Sequence, residues 1–195
     1  MQAGSLDPAE RRRVEAGSLD PAQVARILRM TGDMSRPHRL SSYVGLGQYF
    51  LTICAYPESR PFVDRQVVAE VTTHFLQTAE RERFELFAYC FMPDHMHALV
   101  TSRTETADFH RFVRLAKQLS GYAFRQSTGR RLWQDSFFDR TVRENESPVE
   151  IISYIVANPV RAGLARTPED YPHWGSQIYS REEIVVFTST ESSRV

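Results

Sequence analysis

Two histidines and a tyrosine carry the chemistry this chain can offer. His95 and His97 lie in the segment FMPDHMHALV. Read as a strand, HMHALV turns both imidazoles to one face of a sheet and Met96 and Ala98 to the other. Two neutral imidazoles side by side make half of a divalent-metal site, and firm binding needs further ligands. The same spacing also suits two histidines on a half-exposed sheet face, so spacing alone leaves both readings open. Tyr154 lies downstream in SPVEIISYIVANP, with Asn158 four residues on. At that separation a helix sets a phenol and an amide one above the other. Pro159 pushes Asn158 away from helical dihedrals, so the helix either ends there or passes into a turn. A tyrosine hydroxyl attacks a phosphodiester when a nearby metal polarises the phosphoryl oxygen and the leaving oxygen. A core tyrosine with a bonded hydroxyl is the plainer alternative.

Charge adds a third feature. Residues 109–134 contain Arg111, Arg114, Lys117, Arg125, Arg130 and Arg131 and no Asp or Glu, in a chain whose 24 basic and 24 acidic residues cancel. A merely solvated helix face ordinarily interleaves acids, so an unopposed block points to a surface that tracks phosphates. Tyr122, Phe124, Trp133, Phe137 and Phe138 lie within or just after the block. Such aromatics serve either as stacking platforms for unpaired bases or as core. Lys117 is the one lysine among the 24 basic residues. Arginine suits bidentate phosphate contacts, although genome composition produces the same bias.

The elements that must position these residues follow from periodicity. VGLGQYFLTICAY, from Tyr43, reads as a strand closed by PESRP. From Asp64, a possible cap, Val67, Val68, Val71, Phe75, Leu76 and Ala79 recur at helical spacing. RFELFAYCFM and HMHALV then read as two strands joined at Pro93–Asp94. A second helix shows a stripe of Phe109, Phe112, Val113, Ala116, Leu119 and Tyr122 or Ala123, with Arg111, Arg114, Gln118 and Arg125 opposite. LWQDSFFDRTVRE suits one more strand. Ser147, Pro148 and Glu150 form a capping-box signature that opens a third helix, with Val149, Ile152 and Val156 toward the core. Strand, helix, hairpin, helix, strand, helix is an α+β plan, an antiparallel sheet with helices packed on it.

Composition narrows the class without naming a function. The chain has 195 residues and 22.5 kDa, is 42% hydrophobic and 25% charged, and fits one core with an appendage. Its apolar runs fall short of the roughly 20 residues a spanning helix needs, which argues against a membrane protein. The start, MQAGSLDPAERRR, has no apolar stretch of the kind that directs secretion. Cys54 and Cys90 lie in apolar segments and read as reduced thiols, so a cytoplasmic location is expected. The first 42 residues carry a direct repeat, AGSLDPA at Ala3–Ala9 and again at Ala16–Ala22. Its second copy predicts a short helix over Pro21–Met30, and TGDMSRPHRLSS predicts a linker ending at Ser42.

MPDHMH on a strand, GRRLWQDSFFDRTVRENESPVEIISYIVANPVRAGL downstream and PEDYPHWGS after it together resemble the single-tyrosine HUH transposases. The resemblance is nearest to the REP-associated tyrosine transposases. It runs from Tyr43 to Ser176, setting off residues 1–42 as a leader and 177–195 as a tail. Its specificity lies in combining the His-hydrophobe-His motif with YIxxNPVRAGL. The resemblance implies a ferredoxin-like antiparallel sheet with packed helices, His95 and His97 as metal-binding histidines and Tyr154 as nucleophile. Asn158 falls where related enzymes place a polar third ligand. The implied cofactor is Mg²⁺ or Mn²⁺ acting as a Lewis acid. The implied partner is single-stranded or hairpin DNA at palindromic repeats, contacted by Arg111, Arg114, Lys117, Arg125, Arg130, Arg131 and Arg161, with the protein a monomer or homodimer. Cleavage would leave a 5′-phosphotyrosine and a free 3′-hydroxyl, and rejoining would reverse the transesterification without ATP. Asp94 departs from the family, whose members usually carry Asn there, and adds a negative charge beside the implied metal. A hairpin-binding regulator of DNA or RNA with a vestigial site is the alternative from the binding class. A metal-dependent hydrolase fits less well, since it has no need of the YIVANPVRAGL segment.

Overall fold

A computed structural model of the chain describes residues 43–143 and 145–192. The leader's repeat, helix and linker lie outside those residues. Strand β1, Gln48–Cys54, is shorter than its apolar run because Gly45, at φ 120°, and Gly47 precede it. Helix α1, Arg65–Glu82, starts at Asp64, whose carboxylate accepts from the Gln66 N–H at 2.8 Å. Strands β2, Phe84–Met92, and β3, His95–Ser102, form the expected hairpin about Pro93–Asp94. Helix α2, Phe109–Thr128, is capped by Asp108 and ends at Gly129, which takes the left-handed conformation at φ 72°. Strand β4, Phe138–Thr141, is followed by α3, Pro148–Val156, and the short α4, Asn158–Arg161. Strand β5, Trp174–Gly175, and helix α5, Arg181–Ser192, complete the described chain.

The sheet order is β4-β1-β3-β2-β5, with every neighbouring pair antiparallel. The first four strands and two helices therefore make the βαββαβ unit of a ferredoxin-like α+β fold, with β5 added at the β2 edge.

Because side chains alternate along a strand, the sheet divides its residues between two cores. Tyr49, Leu51, Ile53, Met96, Ala98 and Val100 face α1 and α2, where they meet Phe75, Phe109, Phe112 and Val113. Phe50 and Leu99 face the other way, with Ile151, Ile152, Ile155 and Val156 of α3 packed over that side. A bulge in β2 keeps this division consistent. Leu86 pairs with Val100 and Ala88 with Leu99, so Phe87 is an extra residue. Phe84 and Leu86 therefore share the α1/α2 face with Phe91, while Ala88, Cys90 and Met92 turn to the α3 face.

The expectations for the α2 stripe and for the strand that follows it need correction. Leu119 and Tyr122, placed on the apolar stripe of α2, are 43% and 66% exposed. The buried line runs through Phe109, Phe112, Val113, Ala116, Ser120 and Phe124 instead. Ser120 belongs there because the Trp133 indole N–H donates to its hydroxyl at 2.9 Å, which lets a polar residue enter the core. The strand read into LWQDSFFDRTVRE is confined to Phe138–Thr141; Trp133 makes only an isolated bridge with Ala55. The segment read as a tail from 177 holds α5, whose Ile184 is fully buried in the second core. Cys54 and Cys90 are both free thiols.

Candidate active site

The hairpin delivers the two histidines as strand alternation requires. Thr52, His97 and Cys90 form one cross-strand row of β1, β3 and β2, and Cys54, His95 and Met92 form the next. His95 and His97 are 6% and 1% exposed, so neither is a half-solvated surface histidine. Their Nε2 atoms face each other at 3.2 Å. Each Nδ1 is already engaged: His95 Nδ1 meets Asp94 Oδ1 at 2.7 Å, and His97 Nδ1 meets Thr52 Oγ1 at 2.8 Å. The carboxylate can accept from His95 Nδ1–H, and with its proton held on Nδ1 the ring offers its lone pair at Nε2. The threonine hydroxyl can accept from His97 Nδ1–H to the same end. Metal-binding histidines are commonly oriented in this way by partners on the second nitrogen. Burial above all, then His95 and Arg161, holds His97 well below the ordinary histidine range, so its ring stays neutral.

These residues fit a divalent cation at the nitrogen pair. Two ligands at right angles, each about 2.1 Å from one ion, lie about 3 Å apart, close to the observed Nε2 separation. Among the described residues no group of three or more His, Cys, Asp or Glu converges on a possible ion. Further ligands would thus have to be amide or hydroxyl oxygens, water or substrate.

Tyr154 reaches the same face from α3. Ile151, Ile152, Ile155 and Val156 bury the helix on the sheet and leave Tyr154 half-buried at its side. Its ring stands edge-on to His97, centroids 6.3 Å apart, and to Phe50, 6.0 Å apart. Helix α3 stops at Val156, and Asn158 opens the next short helix, as Pro159 foretold. Asn158 is 2% exposed. Its amide oxygen accepts from Arg161 Nη2 at 2.7 Å, and its amide nitrogen is buried without a partner. The residue expected as a third ligand therefore opens the helix after the one that carries Tyr154, with its amide oxygen bonded to an arginine. Sequence reading passed over Thr52, whose signal was its position across from His97 in the antiparallel register. It also left Arg140 unremarked; this 9% exposed residue donates to Glu146 at 2.7 Å and lies across from Phe50.

The basic block has a more divided fate. A groove of about 720 Å³ runs between α2 and residues 131–137, lined by Arg111, Arg114, Lys117, Arg125 and Arg131 together with Tyr122. Arg130 is exposed outside it. Three of these cations are committed to protein partners. Arg111 Nε pairs with Glu82 of α1 at 2.8 Å. Lys117 Nζ donates to the Asp135 and Ser136 carbonyls at 3.0 and 2.9 Å. Arg131 pairs with Asp135 and lies over the Tyr56 ring. Arg114 and Arg125 are exposed along α2. Backbone bonds from Tyr56 N–H to the Leu132 carbonyl and from Gln134 N–H to the Cys54 carbonyl tie the 131–137 wall of the groove to the end of β1, and neither histidine lines the groove.

The family model described as "Transposase IS200 like" matches residues 47–158, a span that includes both histidines, Tyr154 and Asn158. A REP-associated tyrosine transposase of Escherichia coli K12 is 26% identical over 133 residues, covering 67% of this chain and 76% of the relative. A Haemophilus influenzae relative, named with the same group of transposases, is 26% identical over 140 residues, covering 65% of this chain and 78% of its own. The fold resembles the solved structure of a REP-associated tyrosine transposase bound to a REP hairpin. That match has a TM-score of 0.59 and 24% identity, and covers 72% of this chain and 82% of the other. Among the described residues no helix is long and apolar enough to cross a membrane. With more than half of its length matched by the family model, and with REP-associated relatives as its motifs implied, the chain belongs to the IS200-like transposases.

Proposed function

We propose that this protein cleaves and rejoins single-stranded hairpin DNA of the REP type through a covalent link to Tyr154. The observation that carries this reading is the pair of buried imidazoles with converging Nε2 atoms, 3.2 Å apart, with the Tyr154 ring edge-on to His97. His95 and His97 would hold Mg²⁺ or Mn²⁺, which would supply Lewis-acid polarisation of the phosphodiester. Asp94 and Thr52 keep both rings aimed by occupying their Nδ1 atoms. The Tyr154 hydroxyl gives up its proton and its oxygen bonds to phosphorus. The bond from phosphorus to the 3′ oxygen breaks, and that oxygen leaves as a hydroxyl. One phosphodiester replaces another, so the reverse attack by a 3′-hydroxyl reseals a strand without an external energy source.

DNA would lie along the α2 groove, held chiefly by Arg114 and Arg125, with Tyr122, 66% exposed, placed to stack on an unpaired base. The 131–137 wall of that groove is bonded to β1 at Cys54, the residue that pairs with His95 across the sheet. The test is incubation of the protein with a single-stranded hairpin oligonucleotide and Mg²⁺ or Mn²⁺. Wild type is expected to form a denaturation-resistant protein–DNA adduct that Tyr154→Phe abolishes. Hairpin binding without any adduct would assign the chain to the binding class instead, and equal adduct from both proteins would remove Tyr154 as nucleophile.

A further inference from the structure

Arg161 stands in the sequence among the arginines expected to touch DNA, yet its guanidinium contacts the helix that carries Tyr154. Pro159 has no N–H to continue the hydrogen-bond ladder, so α3 ends at Val156. Carbonyls in a helix's last turn lack intrahelical partners and are often taken by basic side chains. Arg161 Nη2 donates to the Tyr154 carbonyl at 2.9 Å and to Asn158 Oδ1 at 2.7 Å. The same guanidinium lies over the Tyr154 ring, with its carbon 4.1 Å from the centroid. One planar group therefore holds the main chain and the ring of Tyr154 together with the neighbouring buried amide of Asn158. The other contacts of that ring, with Phe50 and His97, are edge-on at 6.0 and 6.3 Å, so the guanidinium is its nearest described aromatic or cationic neighbour.

We propose that Arg161 is a positioning residue for Tyr154, clamping its ring and its carbonyl at the end of α3 so that the hydroxyl is presented to the scissile phosphate. This inference rests on the reading of Tyr154 as nucleophile. Physically, the clamp replaces rotation about the tyrosine's side-chain bonds by one orientation, and small displacements of a reacting group are costly in rate. The cation also faces a ring into which negative charge spreads as the phenol oxygen loses its proton, so their attraction grows toward the transition state. Lysine keeps the charge but cannot span two acceptors and cover a ring face with one flat fork.

The experiment compares wild type, Arg161→Lys, Arg161→Gln and Tyr154→Phe as full-length proteins. Two readouts are taken: single-turnover adduct formation with a hairpin oligonucleotide and Mn²⁺, and NMR of ring-¹³C-labelled tyrosine without DNA. The Tyr154 signal is assigned by its loss in Tyr154→Phe. Both Arg161 variants are expected to shift or broaden that signal and to lose about tenfold or more of the saturating rate. The half-saturating DNA concentration should stay within about twofold and the salt dependence of binding should not change. A full rate in Arg161→Lys, or weaker binding with a shallower salt slope, would make Arg161 a phosphate contact and overturn the proposal. An unchanged Tyr154 signal in both variants overturns it even if no protein forms an adduct. Absence of adduct in wild type, with the NMR shift present, defeats only the nucleophile reading. Thermal melting of each variant identifies loss of fold, and the lysine variant retains the charge and most of the side-chain volume.

Discussion

The two faces of the sheet are built from the same strands but from different materials. Under α1 and α2 lie mainly rings and aliphatic chains, with Ser120 and Thr78 as hydroxyl exceptions: Tyr49, Phe84, Phe109 and Phe112 are all 1% exposed or less, with ring centroids of Tyr49 and Phe109 4.2 Å apart and of Phe84 and Phe112 4.9 Å apart. Under α3 the apolar cluster shares its space with His95, His97, Thr52 and Asn158. A polar group can be buried there because partners satisfy it one by one, and the unsatisfied atoms are informative. The comparison teaches that strand alternation lets one sheet carry an apolar core on one side and a candidate site of buried polar residues on the other.

The strongest way to break that comparison is at the histidines. His95→Ala with His97→Ala should abolish adduct formation and any Mn²⁺-induced rise in melting temperature while hairpin affinity changes less than about threefold. Gel-shift and melting measurements check this, and a chain that no longer folds would move the histidines to the structural side. Next in size, Phe112→Ala should cost about 3–5 kcal/mol in urea unfolding, leaving the site residues on the opposite face untouched. Ser120→Ala should cost about 1–3 kcal/mol by the same measurement, because the buried Trp133 N–H loses its acceptor. The smallest effect is expected outside both cores. Arg114→Ala and Arg125→Ala should each weaken hairpin binding and reduce its salt slope by about one. Arg111→Ala, already paired with Glu82, should change the slope less. Equal slopes for all three would mean that the pairing with Glu82 does not withhold Arg111 from DNA.

Much of this was legible in the residues. The period-two reading of HMHALV set His95 and His97 on one face and Met96 and Ala98 on the other, and the clusters divide in that way. Asp64 caps α1, and Ser147 accepts from the Glu150 N–H at the start of α3. The reading slipped where a polar residue replaced an apolar one. Ser120 is buried because Trp133, remote in the folding pattern though near in sequence, supplies a donor, while Leu119 and Tyr122 look inward only on a hydropathy scale. The basic block was readable as charge, but its acid partner Glu82 lies on another helix.

Local chemistry therefore determined the elements, the pairing of the two histidines and the break at Pro159, since alternation, capping and a missing N–H act within a few residues. Which groups meet across long separations was decided only by the folded sheet. The β1–β3 register sets Thr52 beside His97, and the α3 crossover sets Tyr154 over them. The turn after Val156 folds Arg161 back onto Tyr154. Such contacts depend on register and crossing direction, which no local window contains, and they bring residues of β1, β3, α3 and α4 to one candidate site.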